Sequence, residues 1–295
     1  MKFLPIVFFI TNVAFAQEVV TYKSVWKKNE IELQAELFLP ENRKEPYPVI
    51  FAMHSSGPDI PLLKIKGKTD IYADSLKKHA LSRGYAVVMM ESFDKRGVVD
   101  LWSNLEQVSS HVSKFDAFKL AKTLEKDSRL DKKNFFITGH SYGGAVAMDS
   151  AYGTQGQQLF NSVVASAPGC HIVRDMPFTA TVMIIIGEND KTVSYIPCKK
   201  LENQAAVIVV KDMSHSFSTY GDQYSPQGEN MMSCADKVFV RHSLNTFKMN
   251  DKVISAADYR SACIRKGTYG GGARDKLNDV IVSALNFFDK NLKKD

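Results

Sequence analysis

Six short apolar runs punctuate this chain: PVIFAMH at 48–54, YAVVMM at 85–90, NFFITG at 134–139, SVVASAP at 162–168, TVMIIIG at 181–187 and AVIVVKD at 206–212. A strand with one wet face alternates polar and apolar side chains, whereas an unbroken apolar run of this length fits a strand covered on both faces. Such strands need helices above and below them. Helical patterns fall near 70–83, from about 100 to 127, from 142 to about 152, and in DKLNDVIVSALNFFDKNL near the end of the chain. The first of these ends at Gly84, a residue suited to a helix C-terminus. Residues 19–39 differ, alternating on both sides of KKNE in the manner of a hairpin. The expectation is an α/β fold with a mostly parallel central sheet flanked by helices and an N-terminal antiparallel hairpin at its edge.

The third run leads into GHSYGG at 139–144. Gly139-His140-Ser141-Tyr142-Gly143 matches G-x-S-x-G between a predicted strand and a predicted helix. Glycine at both ends permits a turn tight enough to hold Ser141 in a strained conformation, its hydroxyl raised above the sheet beside a helix N-terminus. An ordinary strand-to-helix connection is the alternative, and the rest of the chain decides between them.

A serine hydroxyl is a poor nucleophile near neutral pH and needs a histidine base, oriented in turn by a carboxylate. Of the seven histidines, His215 follows the AVIVVKD run, where catalytic groups collect in open α/β sheets. His242 ranks behind it, inside an irregular region. Asp190 is the preferred acid, three residues past Gly187 at the end of TVMIIIG, with Asp175 and Asp212 as alternatives. Acyl transfer also needs donors for the oxyanion. These are assigned to the backbone N–H of Tyr142 and to Ser56 in the loop after the first buried strand, with Ser55 the alternative register. His54 is expected to brace that loop.

In order and interval, MHSSGP, ESFDKRG, GHSYGG, GENDKTV and MSHSF resemble the dienelactone hydrolase family of α/β-hydrolases. The resemblance runs from about residue 30 to 216 and returns in the last helix. It implies an α/β-hydrolase fold with an eight-stranded sheet, cofactor-free acyl transfer, and small ester or lactone substrates. ESFDKRG is similar to a family loop at the rim of the active site, which makes Glu91 and Arg96 candidate substrate-binding residues. The family's founding members carry cysteine at the elbow and this chain carries serine, which moves the expectation toward a serine carboxylesterase.

The first sixteen residues, MKFLPIVFFITNVAFA, combine Lys2, an apolar run and Ala14-Phe15-Ala16, the pattern of a secretory signal with its cleavage site. The run is shorter than the ~20 residues that span a bilayer, so the expectation is an exported, periplasmic or secreted protein with no membrane contact after cleavage. In an oxidising compartment, Cys170, Cys198, Cys234 and Cys263 read as two disulfides. Three pairings are open; 170 with 198 and 234 with 263 is preferred because each closes a short loop. No C-x-x-C and no histidine pair at ligand spacing suggest a metal. A formal net charge of +6, from 38 basic and 32 acidic residues, is spread along the chain without the basic, aromatic-interleaved stripe of a nucleic-acid binder.

Residues 217–272 show no period and hold two of the cysteines. They are expected to form an irregular, disulfide-held insertion in one α/β-hydrolase domain spanning 17–295. The leading reading is a serine hydrolase of small esters or lactones. A prolyl-oligopeptidase-type peptidase shares the elbow and the triad order, but the sequence shows no long propeller or cap of the kind that selects peptides. A catalytically silent binding module would keep the fold and lose a member of the Ser, Asp and His set. All three members are present.

Overall fold

The computed structural model describes residues 16–41, 43–56, 70–98, 101, 108–153, 158–243, 246–249 and 252–294. The export signal expected at 1–16 lies almost wholly outside the described residues.

The chain opens with the hairpin read from its alternation: β1 (Ala16–Trp26) and β2 (Asn29–Leu39) pair antiparallel from Ala16↔Leu39 to Trp26↔Asn29. The turn is Lys27-Lys28, both with positive φ, which matches the primed turns that follow strand twist. The apolar runs become β3 (Tyr47–Met53), β4 (Ala86–Met90), β5 (Leu130–His140), β6 (Ser162–Ser166), β8 (Thr181–Gly187) and β9 (Ala206–Val210). Between β6 and β8 runs the short strand β7 (Ile172–Arg174), which belongs to another sheet. The main sheet has eight strands in the order β1-β2-β4-β3-β5-β6-β8-β9, parallel from β4 onward. This is the α/β-hydrolase arrangement.

Helices cover both faces. α1 (Ile71–Ser82) packs with the C-terminal helix on one face, and α2 (Ser110–Leu124) with α3 (Tyr142–Ser150) on the other. The strands divide their side chains accordingly. Val49, Phe51 and Met53 enter the core beneath α2 and α3, while Ile50 and Ala52 enter the opposite core. That two-sided demand is why these strands are apolar throughout. α2 begins at Ser110, ten residues later than its pattern suggested, and residues 102–107 lie outside the described set.

The stretch expected to be irregular is built of short elements. β10 (Asp222–Asn230) pairs with β14 (Arg265–Gly271) as an antiparallel ribbon. β11 (Phe239–Arg241), β12 (Thr246–Met249) and β13 (Lys252–Ser255) join β7 in a four-stranded sheet. After the one-turn helix α4 (Ile196–Lys199), which lies between β8 and β9, come α5 (Ala256–Cys263), with a Ser255/Asp258 capping box, and α6 (Leu277–Lys290). Strands of three or four residues pass through too few alternations to give a period, which is why the sequence looked featureless here. A small core of Cys234, Phe239, Phe247, Tyr259 and Cys263 holds the segment together. Disulfides join Cys170 to Cys198 and Cys234 to Cys263, all four buried. Two such bonds suit an oxidising, extracytoplasmic location.

Candidate active site

The parallel strands end in register, with Met53 beside Gly139, His140 beside Ser166, and Gly187 beside Val210. Loops after β3, β5, β8 and β9 therefore meet at one edge of the sheet. Ser141 follows β5 with φ 55° and ψ −116°, a conformation that costs a non-glycine residue about 1–3 kcal/mol. The surroundings hold it there. Its N–H donates to the Ser166 carbonyl at 2.9 Å, and a Cβ at Gly143 would collide with the Met53 carbonyl. Only glycine allows α3 to start this close to β3.

Ser141 Oγ lies 2.9 Å from His215 Nε2, and His215 Nδ1 lies 2.7 Å from Asp190 Oδ2. The second Asp190 oxygen accepts the N–H groups of Thr192 and Val193 at 2.8 and 2.9 Å. With Nδ1–H donating to the carboxylate, Nε2 offers its lone pair to the serine proton. The loops after β8 and β9 approach closely because Gly187 has no side chain to strike the Met213 carbonyl, and Asn189 N–H bonds that carbonyl at 3.0 Å. Asp175 and Asp212, the alternative acids, are exposed, as is His242.

His140 sits beneath this relay, its Nε2–H donating to the His215 carbonyl at 2.6 Å and its ring against Phe217 and Tyr72. Burial first, then the neighbouring His215 charge, pushes the His140 ring down to about 4. It is a neutral strut for the backbone of His215.

Tyr142 and Ser56, the expected oxyanion donors, line the same cavity as Ser141. Tyr142 is the first residue of α3, so its N–H has no intrahelical acceptor. Ser55 N–H donates to Asp70 Oδ2 at 2.9 Å, which removes it as a donor to substrate. Ser56 is buried, lines the same cavity as Ser141, and its hydroxyl has no hydrogen-bond partner among the described residues. His54 braces this loop, with Nδ1–H donating to the Ser55 carbonyl at 2.8 Å and Nε2 accepting from Ser92 N–H at 3.3 Å.

Glu91 and Arg96, expected at the pocket, do not line it. The Glu91 carboxylate accepts the Phe93 and Asp94 N–H groups at 2.6 and 2.8 Å, capping the turn at Asp94–Arg96. Arg96, its side chain buried, pairs with Asp116 at 2.8 Å, donates to the Ser92 carbonyl at 2.6 Å and lies over Trp26. Both hold the loop after β4 by its own backbone, a structural use that a rim position in sequence does not reveal.

A cavity of about 460 Å³ opens at Ser141. The β10–β14 segment supplies much of its wall, including Met231, Arg241, Phe247, Tyr259 and Arg260, none of which the sequence singled out. This segment also grips the acid loop. Met231 N–H donates to the Thr192 carbonyl at 2.8 Å, and the hydroxyls of Thr192 and Thr268 meet at 2.8 Å. Among the described residues, no three His, Cys, Asp or Glu side chains are grouped to hold a metal ion.

The prolyl oligopeptidase family model matches residues 74–208. In structure the chain is similar to a putative dienelactone hydrolase from Klebsiella pneumoniae, at 14% identity and TM-score 0.58, covering 93% of this chain and 99% of that one. It is similar also to a putative dipeptidyl aminopeptidase IV from Bacteroides ovatus, at 13% identity and TM-score 0.56, covering 94% and 36%. A third is the Porphyromonas gingivalis dipeptidyl peptidase 4, at 15% identity and TM-score 0.51, covering 68% and 32%. The chain thus spans about a third of the length of these two peptidases. No curated protein matches the sequence. At such identities the structural likeness defines the fold, that of an α/β-hydrolase. With the family match and the geometry of Ser141, it supports a serine hydrolase of the α/β-hydrolase type.

Proposed function

We propose that the protein is an exported, periplasmic or secreted serine hydrolase that cleaves small carboxylic esters or lactones through an acyl-enzyme. The observation that carries this reading is the relay from Ser141 through His215 to Asp190, at 2.9 and 2.7 Å on the wall of a cavity sized for a small molecule. His215 Nε2 takes the Ser141 proton as Oγ attacks the ester carbonyl, and Asp190 stabilises the imidazolium that forms. The N–H groups of Tyr142 and Ser56 receive the oxyanion, each worth roughly 10²–10³ in rate. His215 then returns the proton to the departing alcohol, and water, deprotonated by the same ring, releases the acid.

The family match favours one second reading, a peptidase of the prolyl-oligopeptidase type. A p-nitrophenyl ester series from acetate to long acyl chains, set beside dipeptidyl p-nitroanilides, separates the two. Ester turnover abolished by Ser141→Ala, with little anilide cleavage, is the expected result. Equal inactivity of both proteins on every substrate, with no fluorophosphonate labelling of Ser141, overturns both readings.

A further inference from the structure

The two outer strands of the central sheet differ in kind. β1 carries Glu18 and Lys23, paired with Arg129 at 2.7 Å and with Glu30 at 2.8 Å, and charge of this sort keeps a sheet edge from recruiting another strand. β9, at the opposite edge, reads Ala206-Val207-Ile208-Val209-Val210, with no charge, no proline and no bulge. Every residue of β4 and β6 is buried, whereas none of the five in β9 is, and Ile208 is 40% exposed. The register with β8 fixes which backbone groups of β9 face outward. Gly187 lies opposite Val210, and Glu188 N–H donates to the Val210 carbonyl at 3.0 Å. The N–H and C=O of one strand residue point to the same side, and that side alternates along the strand. Ala206, Ile208 and Val210 therefore face β8, which leaves the N–H and C=O of Val207 and Val209 turned outward. Among the described residues, these outward groups bond no other element.

We propose that β9 is a homodimer interface: two copies of this chain pair their β9 strands antiparallel about a two-fold axis through Ile208, making one continuous sheet. A two-fold contact must be self-complementary, and this strand is. Centred on Ile208, the pairing sets Ala206 against the partner's Val210 and Val207 against the partner's Val209. The two valines are the residues whose N–H and C=O face outward, so each such pair becomes a hydrogen-bonded pair of the antiparallel ladder. Ile208, whose own groups face β8, falls on the axis at a non-hydrogen-bonded position, where Cα atoms approach to about 4.5 Å and side chains pack most closely. Moving the centre by one residue would leave an outward-facing valine opposite Ala205 or Lys211. The Ile208 register also brings no like charges face to face, since Lys211 arrives opposite the partner's Ala205. A second copy is the occupant because this edge matches itself in hydrogen-bond pattern, apolar character and charge. Five residues a side bury less than the ~1,200 Å² at the lower end of stable interfaces, so the dimer is expected to be a micromolar one.

Sedimentation velocity on the purified protein from about 1 to about 300 µM tests this directly, whatever substrate the active site cleaves. The wild type is expected to pass from monomer toward dimer across that range. Ile208→Lys puts two ammonium groups on the axis, and Val209→Pro removes an outward N–H without touching a bond to β8. Each is expected to weaken association at least tenfold, with circular dichroism and melting close to wild type. They act by different means, so a folding defect in one leaves the other to decide. Ile208→Cys tests the register. The four native cysteines are all in disulfides, so the new thiol is free, and about 4.5 Å between Cα atoms lets it bridge to its own copy. Val207→Cys, offset from its own copy along the strands, is expected to cross-link at least tenfold more slowly. A wild type that stays monomeric throughout, a dimer that both variants keep, or equal cross-linking at the two positions overturns the proposal.

Discussion

Asp190→Asn is the sharpest probe of the proposed relay, because this structure dictates how an asparagine would sit. One Asp190 oxygen accepts two backbone N–H groups, from Thr192 and Val193, and the other accepts one N–H from His215. An asparagine has a single carbonyl oxygen to divide between those sides. Turning its amide nitrogen toward Thr192 and Val193 leaves two buried donors facing a donor, at about 1–3 kcal/mol each. Turning it toward His215 disturbs one contact, which the ring relieves by shifting its proton from Nδ1 to Nε2. The second arrangement is favoured, and in it Nε2 carries a proton and no longer accepts one from Ser141. The expected loss is about 10⁴ in kcat, or about 5.4 kcal/mol at 1.36 kcal/mol per decade, with the melting temperature changed by only a few degrees. The assay is steady-state hydrolysis of p-nitrophenyl acetate beside the rate of fluorophosphonate labelling, since both need a deprotonated serine. A variant within tenfold of wild type on both refutes the assignment of Asp190 as the orienting acid.

Acid stability follows from two buried imidazoles. Burial, above all, pushes His140 and His171 from 6.5 down to about 4, so between those values the unfolded chain binds more protons than the folded one. Stability is then complete above about pH 6.5 and is lost as pH falls toward 4, by at most about 3 kcal/mol per ring at 1.36 kcal/mol per unit; urea midpoints that do not move between pH 7.5 and 4.5 would contradict this. The Cys170–Cys198 bond ties the loop after β6 to the helix Ile196–Lys199 just beyond the acid loop. Closing a loop with a sequence separation of 28 is worth about 3–4 kcal/mol, so the Cys170→Ala/Cys198→Ala protein should lose that much stability and also lose kcat as the Asp190 loop loosens. Unchanged kcat and unchanged melting would show that the bond holds nothing in place.

The β10–β14 segment joins the cavity wall to the loop that carries Asp190. It lines the cavity through Arg241 and Tyr259, and through Met231 and Thr268 it grips the loop that carries Asp190. Changes in this segment are therefore expected to act on both substrate choice and the positioning of the acid.

The central sheet was legible in the sequence because strands buried on both faces must be apolar throughout, and β3, β4 and β8 could hardly be read otherwise. The elbow was legible for a different reason: Gly139, Ser141 and Gly143 answer to backbone sterics within five residues, which local sequence records. His215 and Asp190 could be chosen because each stands just past the end of such a strand, and strand order converts position along the chain into position along one edge. What tertiary structure alone decided is the pocket. Whether Glu91 and Arg96 face substrate or their own loop depends on Asp116, twenty residues beyond Arg96, and on Trp26 in the N-terminal hairpin. The pairing of Arg174 with Arg241 depends on two three-residue strands meeting across a gap of more than sixty residues. Contacts of that kind leave no periodicity behind, since each is set by long-range packing and a side chain's neighbours exist only once the chain has folded.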